Sequence, residues 1–273
     1  MSGFQKIELG AQTLLEFRGP DAVRFLNGQI TQDVRRVVGG KISLPACVTD
    51  AKGRLLFRVT ITEGPEEVLW IAGLAQWAEA LEARLTRYLI ADDVEVTDRS
   101  NQYSLVHFTD SRVEAPPAVI ARGSNRFGVM GMDWWVPAGR VMDFPPMGAD
   151  FAEELRIAHG IPVWGAELRE GILPPEALLD VTDISYNKGC YVGQEVISRI
   201  KSAGKVNKRL TRFALDADAP ILPTLMENGA GQITSVSPLA IEGVRHALGF
   251  VKRGATELFV KATDGVVYPI LCI

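Results

Sequence analysis

Residues 187–198 read N-K-G-C-Y-V-G-Q-E-V-I-S, and they place one cysteine, Cys190, on a glycine-flanked turn two residues after Lys188. The apolar pair that follows Gln194 and Glu195 predicts that a helix begins there. A neighbouring cation and a helix N-terminus both favour a thiolate. The stretch therefore predicts a reactive Cys190 with Lys188 as its activating partner. A buried structural cysteine is the alternative, and these residues alone leave both open.

The motif K-G-C-Y-x-G-Q-E over residues 188–195 resembles the signature of the YgfZ family. Members of that family bind folate and are related to the aminomethyltransferase (T-protein) of the glycine cleavage system and to a mitochondrial iron-sulfur assembly factor. Three further blocks also resemble the family and follow in its order. They are F-L-N-G-Q-I-T-Q-D-V at residues 25–34, D-A-K-G-R at residues 50–54 and L-R-I-A-H-G-I-P at residues 155–162.

The resemblance implies a T-protein-like fold in which the subdomains surround a central folate-binding hole. The sequence pattern agrees with the α+β class, because short strands and helices alternate without the rhythm of a parallel sheet. After residue 205 the β-type runs lie between glycine, proline and Asp-Gly turns, which predicts a C-terminal antiparallel β-barrel. We therefore predict two interleaved α+β subdomains over residues 1–204 and a barrel over residues 205–273.

The resemblance also implies a site. Chemistry is assigned to Cys190 and Lys188, and the ligand is expected to be tetrahydrofolate or a derivative, without a metal. The residues predicted to contact that ligand are Arg156, Tyr191, Gln194, Glu195, Asn27 and Gln29. For Arg156, an acidic partner and an exposed position on its helix are the alternatives. Residues 29–33 are read as pocket wall or as a solvated connection. The pair Trp134 and Trp135 is predicted either to stack on a planar ligand or to pack in the core.

Two departures from the family pattern bear on activity. The resemblance implies that the transferase has an essential carboxylate on the strand after the D-x-K-G turn, where this chain has Phe57 and Arg58. The family's folate-facing glutamate is replaced by Ala158. An accessory protein that serves iron-sulfur client enzymes or assembly proteins is therefore favoured over a true aminomethyltransferase. A folate-dependent transferase and a non-catalytic scaffold are the alternatives.

Composition narrows the class of protein. The 273 residues carry a formal net charge of −4, which argues against general nucleic-acid binding. The three cysteines are too far apart for a disulfide framework or a paired-cysteine metal site. We expect no membrane span, because no apolar run approaches the length of one. These features together predict a cytoplasmic location.

Three local predictions are specific enough to check. Residues 7–9 and 14–17, separated by Gly10 and Ala11, are expected to form a hairpin. Residues 127–130 are expected to form a strand. Asp150 is expected to cap a helix whose buried stripe includes Phe151.

Overall fold

The computed structural model describes residues 4–218, 221–263 and 265–273. Before residue 205 the strands are β1 (Lys6–Arg18), β2 (Ser43–Thr49), β3 (Leu55–Glu63), β4 (Leu69–Leu74), β5 (Glu95–Asp98), β6 (Tyr103–Phe108), β7 (Ile120–Ser124) and β8 (Gly131–Pro137). The α-helices are α1 (Ala22–Gln29), α2 (Ala78–Thr86), α3 (Ala149–Ala158), α4 (Leu179–Thr182) and α5 (Gln194–Ala203). The 3-10 helices are Val34–Arg36, Pro65–Glu67, Ala75–Trp77, Pro174–Ala177 and Glu227–Gly229.

After residue 205 the described chain is built from strands, apart from the 3-10 helix Glu227–Gly229. They are β9 (Lys208–Asp216), β10 (Thr224–Leu225), β11 (Gly231–Ile241), β12 (Val244–Lys252), β13 (Phe259–Lys261), β14 (Val267–Pro269) and β15 (Leu271–Cys272). None of the helices in the described ranges is both long and apolar enough to cross a lipid bilayer.

Strand β1 organises the larger sheet because it pairs along its whole length. Residues 12–17 pair with β4, residues 6–11 pair with β6, and the last four residues also pair with β5. The strand order is β2-β3-β4-β1-β6-β8-β7. The predicted hairpin is wrong, because Gly10 adopts φ +67° at a register shift within one continuous strand. The glycine therefore makes a bulge rather than a turn.

Both faces of this sheet are covered. Along β1, Leu15 and Phe17 pack with α1 and α2, whereas Leu14 packs on the opposite face with Trp70 and Trp135. Alternate residues of a strand point to opposite faces, so the apolar run in β1 fits a strand that is buried on both sides.

The C-terminal strands form a second layer with the order β10-β11-β12-β9-β15. A bridge between Met226 and Val260 joins this sheet to the β13-β14 hairpin, which gives a curled half-barrel. Helix α3 packs on β11 and β12. One apolar cluster contains both Leu55 and Ile157 of the first region and Leu210 and Leu248 of the second. The half-barrel is therefore packed on the first region through a shared core, and the boundary near residue 205 stays a prediction.

Two local predictions fail for identifiable reasons. Residues 127–130 lie in a turn region, and the strand begins afterwards at Gly131. Helix α3 has Gly148 as its N-cap rather than Asp150, and the Phe151 side chain is 61% exposed. The buried positions of α3 are Glu154, Arg156 and Ile157. A polar interface with the half-barrel has replaced the apolar stripe that the spacing predicted.

Candidate functional site: the Cys190 loop

Lys188 anchors residues 187–193, called here the Cys190 loop, to the last turn of α1 and the chain that follows it. Its Nζ donates to the carbonyl oxygens of Asn27 (2.6 Å), Ile30 (2.7 Å) and Gln32 (2.8 Å). Burial lowers the pKa of Lys188 to about 7. An ammonium has three N–H donors, so none is left for the Cys190 sulfur. The prediction that Lys188 activates the thiol is therefore corrected: Lys188 positions the loop.

Gly193 brings the loop against the turn that contains Gly53. A Cβ added to Gly193 would lie 2.5 Å from the Asp50 carbonyl oxygen and 2.9 Å from the Gly53 Cα. Gly193 also has φ +88°, a conformation that side chains disfavour. One close backbone contact therefore requires a glycine in each of two separate sequence blocks, Gly53 in one and Gly193 in the other.

Val192 completes the attachment. Its N–H donates to the Gly28 carbonyl oxygen at 3.3 Å, and its own carbonyl oxygen accepts from Thr49 Oγ1 at 2.5 Å. The blocks at residues 25–34, 50–54 and 188–195 thus meet at one place. The sequence resemblance identified all three blocks, and the structure explains why they occur together.

Cys190 itself is exposed. Helix α5 begins at Gln194 as predicted, with Gly193 as its N-cap, so Cys190 lies just outside the first turn. Cys47 is buried, and burial raises the pKa of its thiol well above the ordinary range. Cys272 is exposed, but partial burial raises the pKa of its thiol. The structural-cysteine alternative therefore describes Cys47 and not Cys190.

Tyr191 lies beneath the loop. It is 7% exposed, its ring is 5.1 Å from Lys188 Nζ, and it packs with Ile184 and Ile197. The prediction that Tyr191 contacts the folate is therefore corrected, because its buried ring is not free to stack on a pterin. Burial raises the pKa of Tyr191. Within the described ranges its hydroxyl lacks a hydrogen-bond partner, as does the hydroxyl of Tyr186.

Gln194 and Glu195 form the first turn of α5. Glu195 is exposed and pairs with Arg199 one turn later at 2.8 Å. The Gln194 backbone N–H donates to the Tyr191 carbonyl oxygen at 3.2 Å, and its side chain is half-buried. The Glu195 carboxylate is thus ion-paired on the helix surface. The role of both residues in ligand binding stays a prediction.

Asn27 and Gln29 support the backbone. Asn27 Oδ1 accepts from the Val34 N–H at 3.2 Å, and Gln29 Oε1 accepts from Arg84 at 3.2 Å. Gln29 is buried, as are Thr31 and Gln32. The solvated connection proposed for residues 29–33 is therefore wrong, because this segment is internal.

Arg156 does not have the role predicted for it. Its guanidinium donates to Glu153, Glu167, Ser235 and the carbonyl oxygen of Ile161. These contacts use all five guanidinium N–H donors. The side chain is 5% exposed. Arg156 therefore attaches α3 to strand β11, and the prediction that it contacts folate is corrected.

Arg58 lies where the resemblance implies a carboxylate in the transferase, so this position holds the opposite charge. Arg58 donates to Asp183 through Nε (2.7 Å) and one terminal nitrogen (3.2 Å), and to the Pro162 carbonyl oxygen (2.9 Å). The Asp183 side chain is fully buried. Sequence reasoning noticed Arg58 as a missing carboxylate but missed Asp183. A signal was present, because an arginine within an apolar strand needs a buried acidic partner.

Trp134 and Trp135 are both fully buried. Trp134 packs against Phe108 and Phe144, and Trp135 packs edge-on against Trp70. Of the two predicted roles, core packing is correct and ligand stacking is wrong.

Arg156, the predicted aromatic rings, Arg58 and Ala158 do not fit a folate. The predicted arginine has no N–H to spare, the predicted aromatic rings are buried, and the expected carboxylate near residue 58 is an ion-paired arginine. Ala158 offers no side-chain acceptor, and its carbonyl oxygen accepts from Arg212. No chemical step is therefore derived through a folate. Among the described residues, no group of three or more histidine, cysteine or acidic side chains is placed to hold a metal ion.

Comparison with known proteins identifies relatives of this chain. No protein-family model matches the chain. The iron-sulfur cluster assembly factor IBA57 homologue of Phaeosphaeria nodorum, a mitochondrial protein, is 30% identical over 239 residues, covering 78% of this chain and 58% of its own length. The corresponding protein of Chaetomium globosum is 27% identical, covering 87% of this chain and 62% of its own length. The chain is a homologue of the IBA57 assembly factors.

This homology confirms the resemblance read from the four sequence blocks. The chain spans about three fifths of the length of these assembly factors. The prediction of a cytoplasmic location is wrong, because the homologues are mitochondrial proteins.

The predicted fold is also confirmed. The aminomethyltransferase T of the Bartonella henselae glycine cleavage system superimposes with a TM-score of 0.77 at 16% identity, over 99% of this chain and 84% of that one. An aminomethyltransferase of Herpetosiphon aurantiacus is 23% identical over 278 residues. The α+β T-protein-like fold is thus shared, while the fold alone does not fix the chemistry.

Proposed function

We propose that this chain supports the assembly or repair of iron-sulfur clusters in client enzymes, and that Cys190 is the atom through which it acts. The named function of its IBA57 homologues supports the first part. The second part rests on one observation, the exposed thiol on a loop that Lys188, Val192 and Gly193 fix in place.

The anchoring contacts argue for a presented thiol. Lys188, Tyr191 and Gly193 make the contacts that hold the loop, and Cys190 makes none of them. A residue that only packed would not need to face solvent. A cysteine held outward on a fixed backbone keeps its sulfur in a defined place at little entropic cost, because the loop is already ordered.

A thiolate is a soft ligand for iron and a nucleophile towards a persulfide or disulfide sulfur. A cubane or rhombic cluster requires four protein ligands as a rule. Cys190 alone therefore cannot hold a cluster, and the client or assembly protein must contribute the remaining ligands. This requirement makes the chain an accessory protein that acts on a partner, with the cluster as its cargo.

Folate is a separate matter. The T-protein fold suggests a folate relation, but Arg156 and Tyr191, two of the residues assigned to the ligand, are engaged elsewhere. We propose that the function does not depend on those contacts. Titration calorimetry with tetrahydrofolate should show only weak binding. The affinity should be lower by ~10-fold or more than that of a site that keeps one charge-assisted contact. Micromolar affinity would contradict this part of the proposal.

Complementation of cells that lack the native protein tests the role of Cys190. Cys190→Ser removes the soft sulfur and keeps the size of the side chain, so the variant should fold but fail to restore iron-sulfur enzyme activity. Cys272→Ser is the matched control, since it removes another exposed cysteine, and it should restore activity fully. Full activity with Cys190→Ser would instead favour a non-catalytic scaffold.

A further inference from the structure

The half-barrel carries a groove of about 510 Å³ whose lining does not include the Cys190 loop. It lies along strands β9, β11 and β12 near the 3-10 helix Glu227–Gly229. Its lining includes two lysines, Lys208 and Lys252, together with Phe250, Leu225, Gln232 and Glu227. The volume is within the usual range for small-molecule sites.

The two lysines are direct neighbours across the sheet. Lys208 of β9 is the register partner of Lys252 of β12. Residues that face each other across an antiparallel pair lie on one side of the sheet, and like charges in that position destabilise the pair. An anion between the two ammonium groups would relieve this repulsion.

The groove also has an apolar part. Phe250 is two residues before Lys252 on the same strand and so lies on the same face. Phe250 is buried, with Lys208 Nζ 4.4 Å from the centre of its ring, so the apolar surface open to a ligand is that of the exposed Leu225 at the rim. The groove thus places cationic groups beside an apolar surface.

Lys208 is unusual among surface lysines. Burial lowers its pKa, Arg169 acts in the same direction, and Glu176 opposes them. A group in this environment gains from a nearby negative charge. Glu227, the acidic residue that lines the groove, does not remove the positive balance of two lysines against one carboxylate.

We propose that this groove is a binding site for a small organic anion, with a phosphate or carboxylate group between Lys208 and Lys252 and an apolar body against the exposed Leu225. The site is independent of Cys190 and goes beyond the proposed assembly function. A groove of this volume is of a size that suits a small ligand rather than a protein partner.

Titration of the full chain with phenyl phosphate tests the site. We expect saturable binding that weakens about tenfold in Lys252→Gln and in Lys208→Gln, because each variant loses one charge-assisted contact. The control is Lys261→Gln on β13, a lysine that does not line the groove, and it should bind as the wild type does. Inorganic phosphate should bind more weakly than phenyl phosphate, since it lacks the apolar body.

A second measurement keeps the proposal separate from an effect on folding. Without ligand, Lys252→Gln should raise the urea midpoint of unfolding, because it removes the cross-strand repulsion. Absence of saturable phenyl phosphate binding at millimolar concentration would overturn the proposal. Equal affinity in the wild type and both groove variants would overturn it too, and so would inorganic phosphate binding as tightly as phenyl phosphate.

Discussion

Gly193→Ala tests whether the Cys190 loop is held by the close contact with the Gly53 turn. The added Cβ would lie 2.5 Å from the Asp50 carbonyl oxygen and 2.9 Å from Thr49 Oγ1. The left-handed backbone at φ +88° costs an alanine ~1–2 kcal/mol. Overpacking against the backbone adds ~1–3 kcal/mol. The free energy of unfolding should therefore fall by ~2–5 kcal/mol.

Gly171→Ala is the matched control. Gly171 has φ +86°, and a Cβ added there would meet no atom within 4 Å. This variant should lose only the backbone term of ~1–2 kcal/mol. Urea unfolding of both variants measures the difference between their free energies of unfolding. Gly193→Ala should be the less stable variant by ~1–3 kcal/mol. Equal losses would refute the reasoning, because they would mean that the loop does not press against the turn.

Two further predictions concern charge. Burial lowers the pKa of Lys188 from 10.5 to about 7, so between these values the unfolded chain binds a proton that the folded chain releases. The stabilising effect is complete above the higher pKa and is lost as the pH falls through the lower one. The unfolding free energy of the wild type should thus rise relative to that of Lys188→Met between pH 7 and pH 10.5. Lys52→Met, which removes an exposed lysine, is the control, and its unfolding free energy should follow that of the wild type. Parallel pH curves for the wild type and Lys188→Met would contradict this prediction. Because Arg58 occupies the expected carboxylate position, the purified chain should not transfer an aminomethyl group to tetrahydrofolate in a reconstituted glycine cleavage assay, whereas turnover like that of a true T-protein would disprove the interpretation.

The sequence predicted the loop better than the roles of its residues. Eight positions of one motif located the exposed cysteine and the start of α5 at Gln194. The same spacing suggested that Lys188 lies beside the thiol. It could not show that three carbonyl groups more than 150 residues earlier in the chain bind the ammonium. Proximity in sequence was mistaken for proximity of functional groups.

Tertiary packing excludes the ligand contact predicted for Arg156 and decides between the two roles predicted for the tryptophans. The sequence left Arg156 facing a pocket, facing an acidic partner or exposed on its helix, and the acidic partner is correct: a neighbouring loop supplies Glu167, and the facing strand supplies Ser235. Trp134 and Trp135 are adjacent in β8, so they point to opposite faces. Both are buried because this sheet is covered on both sides, which local sequence does not reveal.

Competitive alkylation of the purified protein tests most directly the claim that the fold presents one thiol for chemistry. Brief treatment near neutral pH, followed by mass spectrometry, gives the order in which the cysteines react. Cys190 should be labelled first, because it is exposed, while Cys47 is buried and the pKa of Cys272 is raised. Labelling of Cys47 or Cys272 before Cys190 would contradict the account.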